Sequence, residues 1–125
     1  MGWSRRRNPI ALLSLFVAIC GFSALSPPKQ YIVTIGFRAK PGKAQDLERE
    51  LRNRVPITRT EAGVLDYRLY RSTSDPNLFF LFSRYASEKL FDIHLYQPYS
   101  LSMLAEFEEL LDGAPRIETY DTILG

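Results

Sequence analysis

Apolar and polar residues alternate along YIVTIGFRA, with Tyr31, Val33, Ile35, Phe37 and Ala39 on one side and Ile32, Thr34, Gly36 and Arg38 on the other. A period of two is that of a half-buried β-strand. Lys40, Pro41 and Gly42 then turn the chain. From Lys43 the period lengthens: Ala44, Leu47, Leu51 and Val55 recur every three or four residues, while Glu48/Arg52 and Glu50/Arg54 stand four apart on the opposite side. This predicts an amphipathic helix with a wet row of ion pairs, strained or ended near Pro56.

Gly63 opens a second strand, VLDYRLYRS, in which Leu65, Tyr67 and Leu69 share one face and Asp66, Arg68 and Tyr70 the other. Ser74-Asp75-Pro76-Asn77 is a turn, and LFFLFSRY after it predicts a third strand paired with the second as a hairpin. Large apolar residues on both faces of that run call for cover on both sides. Ser87 can cap a short helix running through His94. Leu101, Leu104, Phe107 and Leu111 have helical spacing, which predicts another helix from about Ser100 to Asp112, stopped by Gly113 and Pro115. RIETYDTIL is the last strand.

Strand, helix, strand, strand, helix, strand is the order of an α+β, ferredoxin-like split βαβ sandwich. Its helices cover one face of a four-stranded sheet, which leaves the second apolar face of LFFLF in water. Each buried phenylalanine is worth roughly 1.5 to 3 kcal/mol, so a homodimer with two sheets face to face is expected.

Residues 1–28 have a different character. Arg5, Arg6 and Arg7 precede an apolar run from Ile10 to Leu25, broken by Pro27 and Pro28, the order of parts in an export signal. Sixteen residues span about 24 Å as a helix, short of a hydrocarbon core of roughly 30 Å, which favours a cleaved leader and a periplasmic or extracellular domain over residues 29–125. Left uncleaved, the same segment would tie the domain to a membrane. Removing the leader takes three of the 16 basic residues and no acid, leaving 13 against 14 acids and a net charge of −1. The domain thus has no basic excess for nucleic acid. Cys20 also goes, so disulfide and thiolate chemistry are excluded from it.

Chemistry centres on His94, the one histidine. In a helix that starts at Ser87, Leu90 and Phe91 lie on its stripe, so the imidazole points inward. Two readings are open: a core histidine bonded to a carbonyl, or a neutral imidazole lining a pocket and able to take a phenolic or α-carbonyl proton. With one histidine and no cysteine in the domain, no metal site of several nitrogen or sulfur ligands can be assembled from one chain. The acids Glu106, Glu108, Glu109 and Asp112 fit a solvated helix flank. Isolated glycines give no phosphate loop, and no serine elbow is present. Tyr67, Tyr70, Tyr85, Tyr96 and Tyr99 suit either a core with wet hydroxyls or the walls of a pocket for a flat aromatic molecule.

GVLDYRLYRSTSDPNLFFLFSRYASEKLFDIHLYQPY resembles the hairpin and following helix of the antibiotic biosynthesis monooxygenase domain, also seen in quinol monooxygenases and autoinducer-degrading proteins. Gly63, Tyr67, Asp75, Pro76, Tyr85, Phe91, His94 and Pro98 fill the places of the family pattern, and the likeness runs over about residues 30 to 123. Ser83 stands where members often carry Glu, and Tyr99 where many carry a second His. The sole tryptophan, Trp3, lies in the leader, which sets the haem-degrading branch aside.

The resemblance implies a dimeric α+β barrel that oxidises a quinol-like or phenolic substrate with O2 and no cofactor. His94 is then the base, and Tyr67, Tyr85 and Tyr99 orient the substrate. An isomerase of a small carbonyl compound and a non-catalytic small-molecule-binding barrel are the alternatives.

Overall fold

The computed structural model describes residues 29–125, so the leader expected over residues 1–28 lies outside the described residues. The chain runs β1 (Tyr31–Arg38), α1 (Ala44–Arg59), β2 (Val64–Arg71), β3 (Leu78–Tyr85), α2 (Glu88–Leu95), α3 (Pro98–Phe107) and β4 (Arg116–Asp121). The strands form one antiparallel sheet in the order β2-β3-β1-β4, the α+β, ferredoxin-like arrangement that the alternating and helical periods imply.

Register brings the large inward side chains into rows. Phe37 lies opposite Phe79, Ile35 opposite Leu81 and Val33 opposite Ser83. Phe37, Phe79 and Leu81 pack with Leu47 and Leu51 of α1 and with Phe107 at the end of α3 as the main core. A second cluster of Val33, Tyr85 and Phe91 sits under α2. His94 lies beside that cluster, its ring 5.6 Å from Tyr85 and 6.4 Å from Phe91.

Four local expectations change. Helix α1 continues through Pro56 to Arg59, because Pro56 is exposed and the carbonyl it leaves unpaired can meet water. A bulge between Val64 and Asp66 takes Leu65 out of the row of Tyr67 and Leu69, and Leu65 is exposed. Helix α3 begins at Pro98 and ends at Phe107, not Asp112; Leu111 instead forms an isolated bridge with Ala39. Arg54 does not face solvent opposite Glu50: its guanidinium lies 4.9 Å over the Phe107 ring, with its side chain largely buried.

Two contacts hold the elements around His94. The Ser87 hydroxyl accepts from the Leu90 N–H at 3.3 Å and caps α2. Gly63 is required where β2 meets α2, since a Cβ there would lie 2.5 Å from Leu90 Cβ. Among the described residues no helix is long and apolar enough to cross a membrane.

Candidate functional site

Between the inner face of the sheet and the helices lies a cavity of about 320 Å³. Its floor is apolar, with Ile35, Phe37, Leu81 and Phe91 among the lining residues, and His94, Tyr67, Thr58 and Tyr99 add polar groups. Leu101 and Leu104, which share the helical spacing of Phe107 and Leu111, are 59% and 63% exposed and border the same space. They cover the cavity rather than fill the core.

His94 is held by a residue that periodicity did not single out. Its Nδ1 is 3.0 and 3.1 Å from the two carboxyl oxygens of Glu61, with both side chains largely buried. A carboxylate only accepts, so Nδ1 carries the ring proton and Nε2 keeps its lone pair. That is the tautomer of a base, fixed in orientation by an acid as in hydrolase triads. Glu61 also accepts from the Tyr99 hydroxyl, which lies 3.3 Å from Thr58 Oγ1 and 3.5 Å from His94 Nδ1. Glu61 follows the end of α1, in a turn pinned by its own N–H to the Thr58 carbonyl at 3.1 Å and by Val64 N–H to its carbonyl at 3.2 Å.

The tyrosines divide. Tyr67 and Tyr99 line the cavity, and their rings lie 6.1 and 6.0 Å from the imidazole. Tyr85 does not line it; fully buried, it packs on His94 and Phe91 from behind. Burial pushes the Tyr67 phenol up to about 12, with the nearby Thr58 hydroxyl and Arg54 easing the shift and the charge of Glu61 adding to it. The phenol is therefore neutral, and able to donate, at neutral pH. Tyr67 is itself fixed from outside: Arg59 at the end of α1 donates from Nε and Nη2 to its carbonyl at 3.0 and 2.8 Å, which also satisfies a carbonyl on the open edge of β2.

Ser83 spends its hydroxyl on the Val33 carbonyl at 3.1 Å and is buried in the sheet. It supplies no acid to the cavity. Tyr99 joins Glu61 at the imidazole. Of the remaining acids, Glu106 pairs with Arg54. Arg68 pairs with Asp66 at 2.9 Å on the outer face of the sheet. Among the described residues no three His, Cys, Asp or Glu side chains gather as a metal site. The arrangement offers an imidazole oriented by a carboxylate beside a largely apolar cavity, the parts of a proton-abstraction site.

Comparison with known proteins bears on the fold and the family. A family model described as antibiotic biosynthesis monooxygenase matches residues 30–106. PA3566 from Pseudomonas aeruginosa is similar in structure at a TM-score of 0.74 and 27% identity, over 80% of this chain and 100% of that protein. Rv0793 from Mycobacterium tuberculosis is similar at 0.72 and 27%, over 77% and 97%, and SO0527 from Shewanella oneidensis at 0.72 and 26%, over 76% and 92%. No curated protein matches the sequence. With more than half of its length matched by the family model, the chain belongs to the antibiotic biosynthesis monooxygenase family.

Proposed function

We propose that this protein is a cofactor-independent monooxygenase that oxidises a quinol-like or phenolic aromatic substrate with O2, with His94 as the base. The observation that carries the reading is the Glu61-held imidazole beside an apolar cavity of about 320 Å³. His94 Nε2 takes the hydroxyl proton of the substrate, and Glu61 stabilises the imidazolium so formed. The resulting phenolate or enolate is electron-rich enough to pass one electron to O2. Superoxide and the substrate radical then combine at ring carbon to form a C–O bond, and the imidazolium returns its proton to give a hydroperoxide. Loss of the remaining proton on that carbon, with cleavage of the O–O bond, leaves a carbonyl and water. Both electrons that reduce the second oxygen atom come from the substrate, so no other reductant is consumed. The protein supplies the base, orientation by Tyr67 and Tyr99, and exclusion of water.

The same reading pairs two copies of the chain through the outer face of the sheet, where Phe80, Tyr70 and Tyr120 are exposed. The domain, once free of its leader, works outside the cytoplasm.

Oxygen uptake with a panel of quinols and polycyclic phenols tests the activity. Uptake matched by product formation, abolished under argon and lowered about 10²- to 10⁴-fold by His94→Ala, is the expected result. Equal turnover under argon would make the protein an isomerase. Tight ligand binding with no turnover, unchanged in His94→Ala, would make it a binding barrel.

A further inference from the structure

The mouth of the cavity is ringed by apolar side chains that face water. Leu95 and Tyr96 at the end of α2, Leu101 and Leu104 on α3 and Ile117 on β4 all line the cavity, yet they are 39% to 76% exposed. Residues that border one hollow and are also open to solvent form its rim. They are one contiguous apolar surface, not scattered exposed residues.

The polar groups within that surface are mostly spent on the chain itself. From Ile93 to Ala105 there is no Asp, Glu, Lys or Arg. Gln97 donates from Nε2 to the Ile93 carbonyl at 3.3 Å, Ser102 donates to the Tyr99 carbonyl at 3.3 Å, and Tyr99 gives its hydroxyl to Glu61. A protein interface carries about one hydrogen bond per 100 to 200 Å², and this rim offers little with which to make them. A lipid surface needs no such bonds. It needs an apolar face, and Tyr96, the most exposed of the five, has the amphipathic ring that sits at headgroup level.

Position along the chain points the same way. The apolar run from Ile10 to Leu25 is followed by Ser26 to Gln30, five residues that reach at most about 18 Å before β1 begins at Tyr31. The Tyr31 ring lies 5.7 Å from Phe91, which lines the cavity one helical turn before Leu95. A segment that brings the domain to a membrane, kept or cut, is therefore joined to it beside the rim.

We propose that the rim rests on a lipid surface, with Tyr96, Leu101 and Leu104 in the boundary between headgroups and acyl chains, so that the cavity opens to the bilayer instead of to water. From Leu90 to Pro115 the chain has five acids and no Lys or Arg, so neutral, zwitterionic headgroups suit this face. The seat rests on burial of hydrocarbon, and salt has little to screen. It does not depend on any chemistry at His94.

The test uses the protein as isolated, with Cys20→Ser and one environment-sensitive fluorophore attached either at Leu104→Cys or, among the charged residues on the outer side of α1, at Asn53→Cys. Each is mixed with phosphatidylcholine vesicles, with and without nitroxide on the acyl chains. The nitroxide is expected to quench the fluorophore at Leu104→Cys and not that at Asn53→Cys, undiminished in about 0.5 M salt. Adding Tyr96→Asp and Leu101→Asp should weaken the vesicle affinity read by this quenching about tenfold or more, with the melting temperature unchanged. Tyr96→Ser with Leu101→Ser, expected to act in the same direction, replaces them should the aspartates lower the melting temperature. A domain merely tethered by a retained leader leaves both fluorophores unquenched, and adsorption without orientation quenches both; either result would overturn the proposal. So would quenching that vanishes in salt, or that persists unchanged in both double variants. A sedimenting mass that falls in the double variant with no lipid present would make the rim a contact between copies of the chain instead. Oxygen uptake plays no part in these readings, so the lipid seat can stand with the monooxygenase lost and can fall with it intact.

Discussion

At the scale of single residues, the site depends on one carboxylate placed to fix one imidazole. Glu61→Gln keeps the shape of the side chain but lets its amide donate to Nδ1, which moves the ring proton to Nε2 and occupies the lone pair that the proposed reaction needs. kcat is expected to fall on the order of 10²- to 10⁴-fold with KM little changed, read by steady-state oxygen uptake. A kcat within about threefold of the parent would show that Glu61 does not set the tautomer. Tyr67 gives a separate prediction through its proton. Its phenol is raised from 10.0 to about 12, so the unfolded chain releases this proton first as pH rises. The contribution of neutral Tyr67 to stability is complete below pH 10 and is lost between pH 10 and about 12. It amounts to something on the order of 2 kcal/mol. Tyr85, raised by burial and by Tyr67, adds to the loss. Urea melts across this range should show stability falling less steeply for Tyr67→Phe than for the parent, and parallel curves would refute the assignment.

Among the elements, those with one dry and one wet face were legible, and the bounds and facing of α3, whose leucines cover the cavity, were not. The period of two in β1 and the apolar stripe of α1 gave strand and helix directly, because Val33, Phe37, Leu47 and Leu51 are buried against solvent-facing neighbours in the same elements. Ser87 marked the start of α2 for a local reason, its hydroxyl bond to Leu90 N–H. Helical spacing of Leu101 and Leu104 looked the same as core spacing, yet these residues border a hollow, and periodicity cannot distinguish a wall from a filling. Arg54, Thr58 and Glu61 had a signal that went unused: polar residues at i, i+4 and i+7 alongside the apolar stripe of α1. Each reaches inside to a partner on another element: Arg54 to the Tyr99 carbonyl, Thr58 to the Tyr99 hydroxyl and Glu61 to His94. The chain has no local cue to such long-range pairs. His94 itself was found, since it is unique and on the inward stripe, but its orienting acid was not. The junction of β2 and α2 can be tested through Gly63. Gly63→Ala would place its Cβ against Leu90 Cβ, Cγ and Cδ1 at 2.5 to 2.8 Å. The helix carrying His94 must then shift, at a cost of about 1 to 3 kcal/mol in chemical denaturation. Adding Leu90→Ala removes two of the three clashes and should recover part of the loss; equal destabilisation with and without it would place the strain elsewhere.

For the whole molecule, the two faces of the sheet have separate work. The inner face carries the cavity, and the outer face is the one proposed to meet a second copy. Phe80, Tyr70 and Tyr120 are 43%, 46% and 44% exposed, and Phe82 and Ile32 are half-buried around them. Gly36 lies opposite Phe80 in the register and leaves a shallow place beside that ring with no side chain of its own. Arg68 with Asp66 and Arg116 with Glu118 are paired within the chain toward the outer strands, so the apolar centre has a polar border, the usual anatomy of a specific interface. Among the described residues, Arg84 Nε is buried on this face without a hydrogen-bond partner. In a two-fold dimer every substitution acts twice. Phe80→Asp would remove two aromatic contacts and set two carboxylates in the interface, weakening association by on the order of 10²-fold or more. Sedimentation velocity should therefore find the parent at twice the mass of one chain and Phe80→Asp at the mass of one. Because Glu61, His94 and the cavity wall all come from the opposite face of the same chain, the monomeric variant should still bind phenols with the affinity of the parent. A parent that sediments as a single chain in dilute solution would leave the outer face without its proposed partner. A monomeric variant that has lost phenol binding would mean that the second copy completes the cavity.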